Sequence, residues 1–547
     1  MPVCGPAGLC YPFCRRDPGR NTRPAATFEN ARDVMGIGGD IDHAVALLGE
    51  RRVGEAVALL SKVVAKRPRE SRALHVLGIA HALSGQHREA ENYLHQAKTL
   101  KPQSAQILTD LAALYTTMKR DREALPLLET ARRREPGFTL AQFYSGVALS
   151  NLGRNSEALA IFTQLSAADP FNIVYLQNRA ALLALLERFD EADVVADQVL
   201  ARNSTMPEAL LAKAVTATAR GDLAKGLEIC ERILARDPKF VKAIVHRGYI
   251  KLLTGRWLEA WPDYEARFVR DGVAPPLRDV PIWTGEPLDG RSILVFSEQG
   301  LGDTIMMSRY LPLLRERGAD VVYLIRPPLK RLLRGVAEGT ELVDRPPSRQ
   351  MDFQIGELSL PYRFGNDVST VPARTPYLFA EPEKVAHWKS VIGDHGFKVG
   401  IVWFTHASDS RAIPLREYYP LSQVPGVRLI SLQKHGGLDQ LAALPAGMNV
   451  ESLGDEFDSG PDAFIDAAAV TQHLDLTITC DTSIGPLTGS LGRPVWVAHK
   501  LVPEWRWMVG REDCPWYPDL RIVRQKQQGV WRDVFERMAD DLRRLTA

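Results

Sequence analysis

Apolar positions in the first half of the chain recur at helical spacing, and a longer period is laid over them. Pro68, Pro102, Pro136, Pro170 and Pro238 fall on one 34-residue ladder that misses only the rung at Ser204. Two ladders of small residues keep the same phase: Gly78, Ala112, Gly146, Ala180, Ala214 and Gly248, then Ala56, Ala90, Ala124, Ala158, Ala192, Gly226 and Ala260. Small residues at a fixed period mark places where two helices approach closely. Proline at a fixed period marks the end of a helix pair, because it cannot continue the helix.

This pattern resembles the tetratricopeptide repeat. It predicts an array over 37–272, with six full repeats and a modified seventh. Each helix pair leaves an apolar face that only the next pair covers, so stacking is obligatory and a superhelix with an extended concave surface is expected. Such a surface suits a peptide segment of a partner protein; self-association is the competing use. Trp257, Trp261, Tyr264 and Phe268 then follow at near-helical spacing, which reads as an aromatic stripe closing the array. The Pro- and Gly-bearing stretch 273–290 reads as a linker.

From residue 291 the period changes. Short apolar runs at Ile293–Phe296, Val321–Ile325 and, more weakly, Phe353–Ile355 alternate with helix-like segments. A second series runs through Val399–Trp403, Val427–Leu432, Leu474–Thr479 and Pro494–Ala498. Alternating strands and helices predict parallel sheets with helices on both faces. Two doubly wound, Rossmann-like halves are expected, over 291–385 and 386–547, with a polar stretch from Glu381 to Lys398 near their junction. Ligands in such sheets sit at the carboxyl ends of the strands.

Composition narrows the possibilities. A formal charge of +2 over 547 residues speaks against nucleic acid as the main partner. No apolar run is long enough to span a membrane. Cys4, Cys10 and Cys14 lie among Pro, Gly and Arg with no zinc-like spacing, and no stretch there suits a signal peptide. Residues 1–36 are therefore expected to be a disordered leader, with Met35 as an alternative start. Cys230, Cys480 and Cys514 are scattered, which fits a reducing cytoplasm.

Three loops carry candidate chemistry. In Glu298-Gln-Gly-Leu-Gly-Asp303-Thr304 the glycines, Gly302 among them, let backbone approach a ligand. Asp303 is either a helix cap or a general base for an acceptor hydroxyl. In Phe404–Arg411, the residues Thr405, Ser408, Ser410 and Arg411 can face a diphosphate whose charge must be neutralised as it leaves. In Cys480–Gly485, Asp481, Thr482 and Ser483 can hold a phosphate or cap a helix. Further on, Trp505, Arg506, Trp507, Arg511, Trp516 and Tyr517 are either stacking and phosphate-pairing groups or a packed aromatic corner.

Taken in order, Glu298–Thr304, Arg309–Leu314, Ile413–Leu415, Val424–Lys434, Asp481-Thr482 with Leu491–Trp496, Pro503–Trp507 and Arg511–Pro518 resemble glycosyltransferase family 9, the heptosyltransferase family, and more distantly O-GlcNAc transferase. The resemblance implies a GT-B domain and metal-independent sugar transfer from a nucleotide carrier, with no further cofactor. It casts Asp303 as general base. It places Arg411, Asp481, Thr482 and Ser483 at the donor, and the loop and tail readings add Gly302, Thr405, Trp505 and Arg506 to that donor-binding set. The family carries a histidine where this chain has Pro486, and His406 or Lys500 could supply the missing positive group.

The architecture is similar to bacterial enzymes that glycosylate flagellin, with the repeats docking a protein acceptor. A transferase for a surface polysaccharide or lipid-linked glycan, and an inactive scaffold that only binds, are the alternatives.

Overall fold

The computed structural model describes residues 28–272, 274–405 and 411–547. They form two compact units divided between Thr216 and Ala217, inside the helix Pro207–Ala219.

The first unit is a series of helical hairpins: Ser71–Leu83 with His87–Leu100, Ala105–Thr117 with Asp121–Arg134, Thr139–Asn151 with Asn155–Ala168, and Ile173–Leu185 with Phe189–Leu200. Pro68, Pro102, Pro136 and Pro170 each follow a helix C-cap residue. Ala56, Ala90, Ala124, Ala158 and Ala192 are wholly buried. The glycine rungs have a steric cause. A Cβ on Gly78 would lie 2.8 Å from Leu94 Cγ, and one on Gly146 would lie 2.6 Å from Phe162 Cε2. A further period appears at the helix starts. Arg52, Arg120, Arg154 and Arg188 are N-cap residues, and each donates to the glutamate three positions on, at 2.6–2.7 Å.

The helix expected to begin at 37 already runs over Phe28–Gly49, so 28–36 are not a disordered leader. Residues 1–27, with their three cysteines, lie outside the described residues.

The second unit opens with the last repeats, Leu223–Leu234, Val241–Leu253 and Trp257–Glu265. The aromatic stripe is packing, as its spacing suggested. Trp257 stacks on Trp516 at 5.4 Å, while Trp261 and Tyr264 meet Trp505 at 5.6 and 5.5 Å. The stripe thus fuses the final hairpin to the α/β body, and Val509 N–H donates to Leu253 C=O across the same junction.

Two sheets follow. The first has β1 (Ser292–Phe296), β2 (Asp320–Leu324), β3 (Glu341–Val343) and β4 (Phe353–Gly356) in the order β3-β2-β1-β4, all parallel. The second has β5 (Phe397–Val402), β6 (Val427–Ser431), β7 (Leu476–Thr479), β8 (Val495–His499), β9 (Asp513–Cys514) and β10 (Tyr517–Arg524) in the order β6-β5-β7-β8-β10-β9. Every pairing is parallel except β9 with β10. In each sheet the winding reverses, between β1 and β4 and between β5 and β7, and such reversals open crevices at the strands' carboxyl ends. Strand residues alternate between two apolar cores: Val399 and Ile401 pack toward the C-terminal helix Arg532–Thr546, and Val402 packs the other way.

Three expectations are corrected. The stretch 273–290 is no free linker, because Leu277 and Val280 cover Leu294 and Val322 of the first sheet and Trp283 is fully buried. The division at 385/386 falls inside the helix Pro382–Ile392. That helix packs on the second half, where Trp388 Nε1 donates to Asp466 at 2.8 Å. Finally, the aromatic tail contains strand β10, which the Pro and Asp after Tyr517 disguised.

Candidate functional site

The strand ends bring together loops from both sheets. The chain leaving β1 turns at Gly300 into the short helix Leu301–Met307. Asp303 Oδ2 accepts from Gly300 N–H at 2.9 Å, so Asp303 caps the helix from its third position, and the helix begins at Leu301 rather than at Thr304. Its other oxygen is in contact with the Arg506 guanidinium. Both oxygens of Asp303 are thus engaged.

Arg506 belongs to the turn Trp505–Trp507 after β8. It is 8% exposed, its Nη2 also reaches Gln299 Oε1 at 3.2 Å, and its Nε has no partner among the described residues. The guanidinium is thus buried between Asp303 and Gln299, with one N–H left over. On the neighbouring strand of the same sheet, Asp481 follows β7. Its Oδ1 accepts from Trp507 Nε1 at 3.1 Å, and its Oδ2 lies 4.0 Å from Arg411 Nη1. Burial raises the Asp481 carboxyl above its ordinary range, and the Arg411 charge opposes that shift. Thr482 closes its own loop, sharing a hydrogen bond with Thr479 at 2.9 Å and accepting from Ile484 N–H.

The two glycine-bearing loops touch. A Cβ on Gly302 would stand 3.3 Å from Ser483 Oγ and 3.6 Å from Pro486 Cγ. Gly302 is thus a close-approach residue between the halves, and the buried Pro486 is its packing neighbour. Trp505 is the residue the structure moves out of the expected donor set. It is 2% exposed and its ring is enclosed by Trp257, Trp261, Tyr264 and Trp516, so it presents no face to a ligand. Thr405 follows β5 beside Phe404, whose N–H donates to Gln433. His406, Ser408 and Ser410 lie outside the described residues.

Beneath the first loop sits a buried acid network that sequence reasoning missed. Glu357, fully buried after β4, accepts from Tyr323 OH at 2.5 Å and from Thr304 Oγ1 at 3.1 Å. Burial pushes its carboxyl up to about 8. Glu298 is clamped by Arg267 at 2.9 and 3.0 Å, and Arg267 is itself 2% exposed. Glu504 was also missed, although it lies within the quoted Pro503–Trp507 motif; a lone carboxylate among aromatics was the available signal. At the carboxyl end of β6 a cavity of about 180 Å³ is lined by Ser431, Gln433, Lys434, Ser452 and Phe457. Among the described residues, no group of His, Cys, Asp or Glu is placed to hold a metal ion, and no helix is long and apolar enough to cross a membrane.

The fold and this crevice define a repeat protein joined to an α/β domain with a charged, two-sided site. Residues 81–142 match one tetratricopeptide repeat family model, and residues 41–105, 121–173 and 179–239 match a second. The chain therefore carries tetratricopeptide repeats. Among curated proteins, Protein FlbA of Caulobacter vibrioides is 26% identical over 532 residues, covering 90% of this chain and 87% of FlbA. That span takes in the α/β domain as well as the repeats. Among solved structures, PilW, titled a widely conserved type IV pilus biogenesis factor, is 19% identical, covering 38% of this chain and 96% of PilW at a TM-score of 0.35. A tetratricopeptide repeat protein from Parabacteroides merdae is also 19% identical, covering 43% and 93% at a TM-score of 0.38.

Proposed function

We propose that the α/β domain is a GT-B glycosyltransferase that moves a sugar from a nucleotide carrier to a hydroxyl of a protein acceptor, which the repeats dock. One observation carries the reading: Arg411 and Arg506 converge with Asp303 and Asp481 where strand ends of the two sheets face each other. Breaking a sugar–phosphate bond leaves negative charge on the departing nucleotide, and preorganised guanidinium groups stabilise it. The cavity beyond β6 has the size and polar lining to take part of the nucleoside. The resemblance of the ordered motifs to the heptosyltransferase family supports the same chemistry, and the likeness of the whole architecture to flagellin-modifying enzymes suggests flagellin as acceptor.

Pro486 bears on activity. Its burial against Gly302 makes that position part of the inter-loop packing, and the positive charge needed at the donor then comes from Arg411 and Arg506.

The test is direct. Purified protein is incubated with UDP-, GDP-, ADP- and CMP-linked sugars and a purified flagellin, and products are read by intact mass. A mass gain that disappears in Arg506→Met, with folding retained, is expected. Transfer to a lipid-linked acceptor in place of the protein would move the enzyme to glycan assembly. Absence of nucleotide-sugar binding altogether would leave only the scaffold reading.

A further inference from the structure

Three carboxylates face the crevice, and they are not equivalent. Asp303 has one oxygen on Gly300 N–H and the other on Arg506. Asp481 has one oxygen on Trp507 Nε1 and the other toward Arg411. Glu504 differs from both. Its side chain is 48% exposed, while Pro503, Trp505, Arg506 and Trp507 around it are buried. Among the described residues no donor hydrogen-bonds its carboxylate, and its nearest ionic neighbour is Arg506 Nη1 at 4.0 Å.

The backbone beneath it is fixed: Trp507 N–H donates to Glu504 C=O at 3.0 Å, and the flanking Trp505 is locked in the aromatic cluster. The result is a carboxylate on a rigid stem beside Arg506, with no hydrogen-bond donor on its oxygens among the described residues. This suits a proton acceptor, because a guanidinium paired to a carboxylate favours its ionised form and makes it a weaker base.

We propose that Glu504, and not Asp303, is the catalytic residue that takes the proton from the acceptor hydroxyl. This rests on the glycosyltransferase reading above. In the step, the acceptor oxygen forms its bond to the sugar's anomeric carbon. Its proton passes to a Glu504 carboxylate oxygen. The bond from the anomeric carbon to the phosphate oxygen breaks, and its electron pair leaves with the nucleotide, beside Arg506 and Arg411. Asp303 is then a positioning residue, setting the glycine loop and the resting direction of Arg506.

Electrostatics agree with the placement. The crowded walls of the crevice raise the Glu504 carboxyl above its ordinary range, and the nearby Asp481 and Asp303 charges add to the rise, while Arg506 and Arg411 oppose it. A raised value makes the ionised form a stronger base, and it gives transfer a rising limb as pH increases through that value.

The experiment compares wild type, Glu504→Gln, Glu504→Asp and Asp303→Asn in the full chain. Binding of CMP- and UDP-linked sugars is measured by calorimetry, and single-turnover transfer to flagellin is followed against pH. Glu504→Gln is expected to bind the donor as wild type does, to lose about 100-fold or more in transfer rate, and to lose the rising pH limb. Glu504→Asp should regain part of the rate with the limb restored. Asp303→Asn should keep the limb and lose mainly donor affinity. The proposal is overturned if Glu504→Gln transfers within about fivefold of wild type, or if Asp303→Asn alone erases the limb. It is equally overturned if Glu504→Gln weakens donor binding without slowing the bound complex. Wild type that binds no nucleotide sugar sinks the transferase reading itself, and this assignment with it.

Discussion

The repeat unit and the α/β unit solve the problem of close packing by opposite means. In the repeats, contacts join residues about half a repeat apart and recur with the sequence period: Gly78 makes room for Leu94, and Gly146 makes room for Phe162. In the α/β unit the decisive contacts are singular and distant. Arg506 meets Gln299 across 207 positions, and Arg309 donates to Trp516 C=O across the same separation. The first unit buries single carboxylates, Asp110 beside His75 and Asp121 beside Asn151, while the second buries a guanidinium–carboxylate clamp at Arg267–Glu298 and a carboxyl under a tyrosine at Glu357. A repeat array spreads its stability over many similar interfaces, whereas a buried charge network concentrates it in a few residues.

That contrast can be broken by experiment, because all ten tryptophans lie between Trp257 and Trp531. Tryptophan fluorescence therefore reports the α/β unit alone, and far-ultraviolet circular dichroism reports the helices of both. The largest effect is expected from Arg267→Ala. It leaves Glu298 buried without its guanidinium, and removing one partner of a buried pair costs about 3–5 kcal/mol. Denaturant unfolding followed by fluorescence should shift by that amount, while the part of the dichroism signal due to the first unit stays in place. A loss below about 1 kcal/mol would show that water reaches Glu298 and that the clamp is not a buried pair.

Much of the fold was legible in the sequence, and the reason is the same contrast. The proline and alanine ladders are periodic, so each rung confirms the others. Seven of the ten strands coincide with the apolar runs, because strands buried on both faces read as continuous apolar stretches. Strand β3 is too short and polar to stand out, and β10 carries Pro518 and Asp519. The site was legible only by type. Gly302, Arg411, Asp481 and Arg506 could be picked out as candidates, but nothing local says that Arg506 faces Asp303. Nor does anything local say that Trp505 turns inward to Trp261. Glu357 was invisible for the same reason, since its meaning comes from Tyr323 and Thr304 above it.

Glu357 supplies the next test, through pH. Its carboxyl titrates at about 8 in the folded protein against 4.5 when unperturbed, so the folded state keeps a proton that the unfolded chain releases. Its contribution is complete below the unfolded value and is lost as pH rises from there through about 8. Glu357→Gln has no proton to lose. Near pH 5 the variant and wild type should unfold alike by fluorescence, and at about pH 8.5 the variant should be more stable by about 2 kcal/mol. That figure is roughly half the formal linkage energy, a discount for relaxation around the charge. Equal stabilities at both pH values would mean that Glu357 is ionised in the fold, and that the acid network is hydrated rather than dry.

The smallest effect belongs to the repeats, and it tests whether their periodicity is steric. In Gly146→Ala the new Cβ would sit 2.6 Å from Cε2 and 3.0 Å from Cζ of Phe162. Phe162 is fully buried and lies edge-on to Phe143 at 5.8 Å, so its ring has little room to retreat. Overpacking of this kind costs about 1–3 kcal/mol, and the better helix propensity of alanine returns about 1 kcal/mol. A net loss of about 1 kcal/mol is therefore expected, seen by circular dichroism with the fluorescence transition unmoved. Gly146→Ala combined with Phe162→Leu should be less unstable than the sum of the two single changes, because the smaller side chain removes the clash. Strict additivity would mean that the glycine rung serves backbone flexibility, and that the 34-residue ladder does not record helix-to-helix distance at this position.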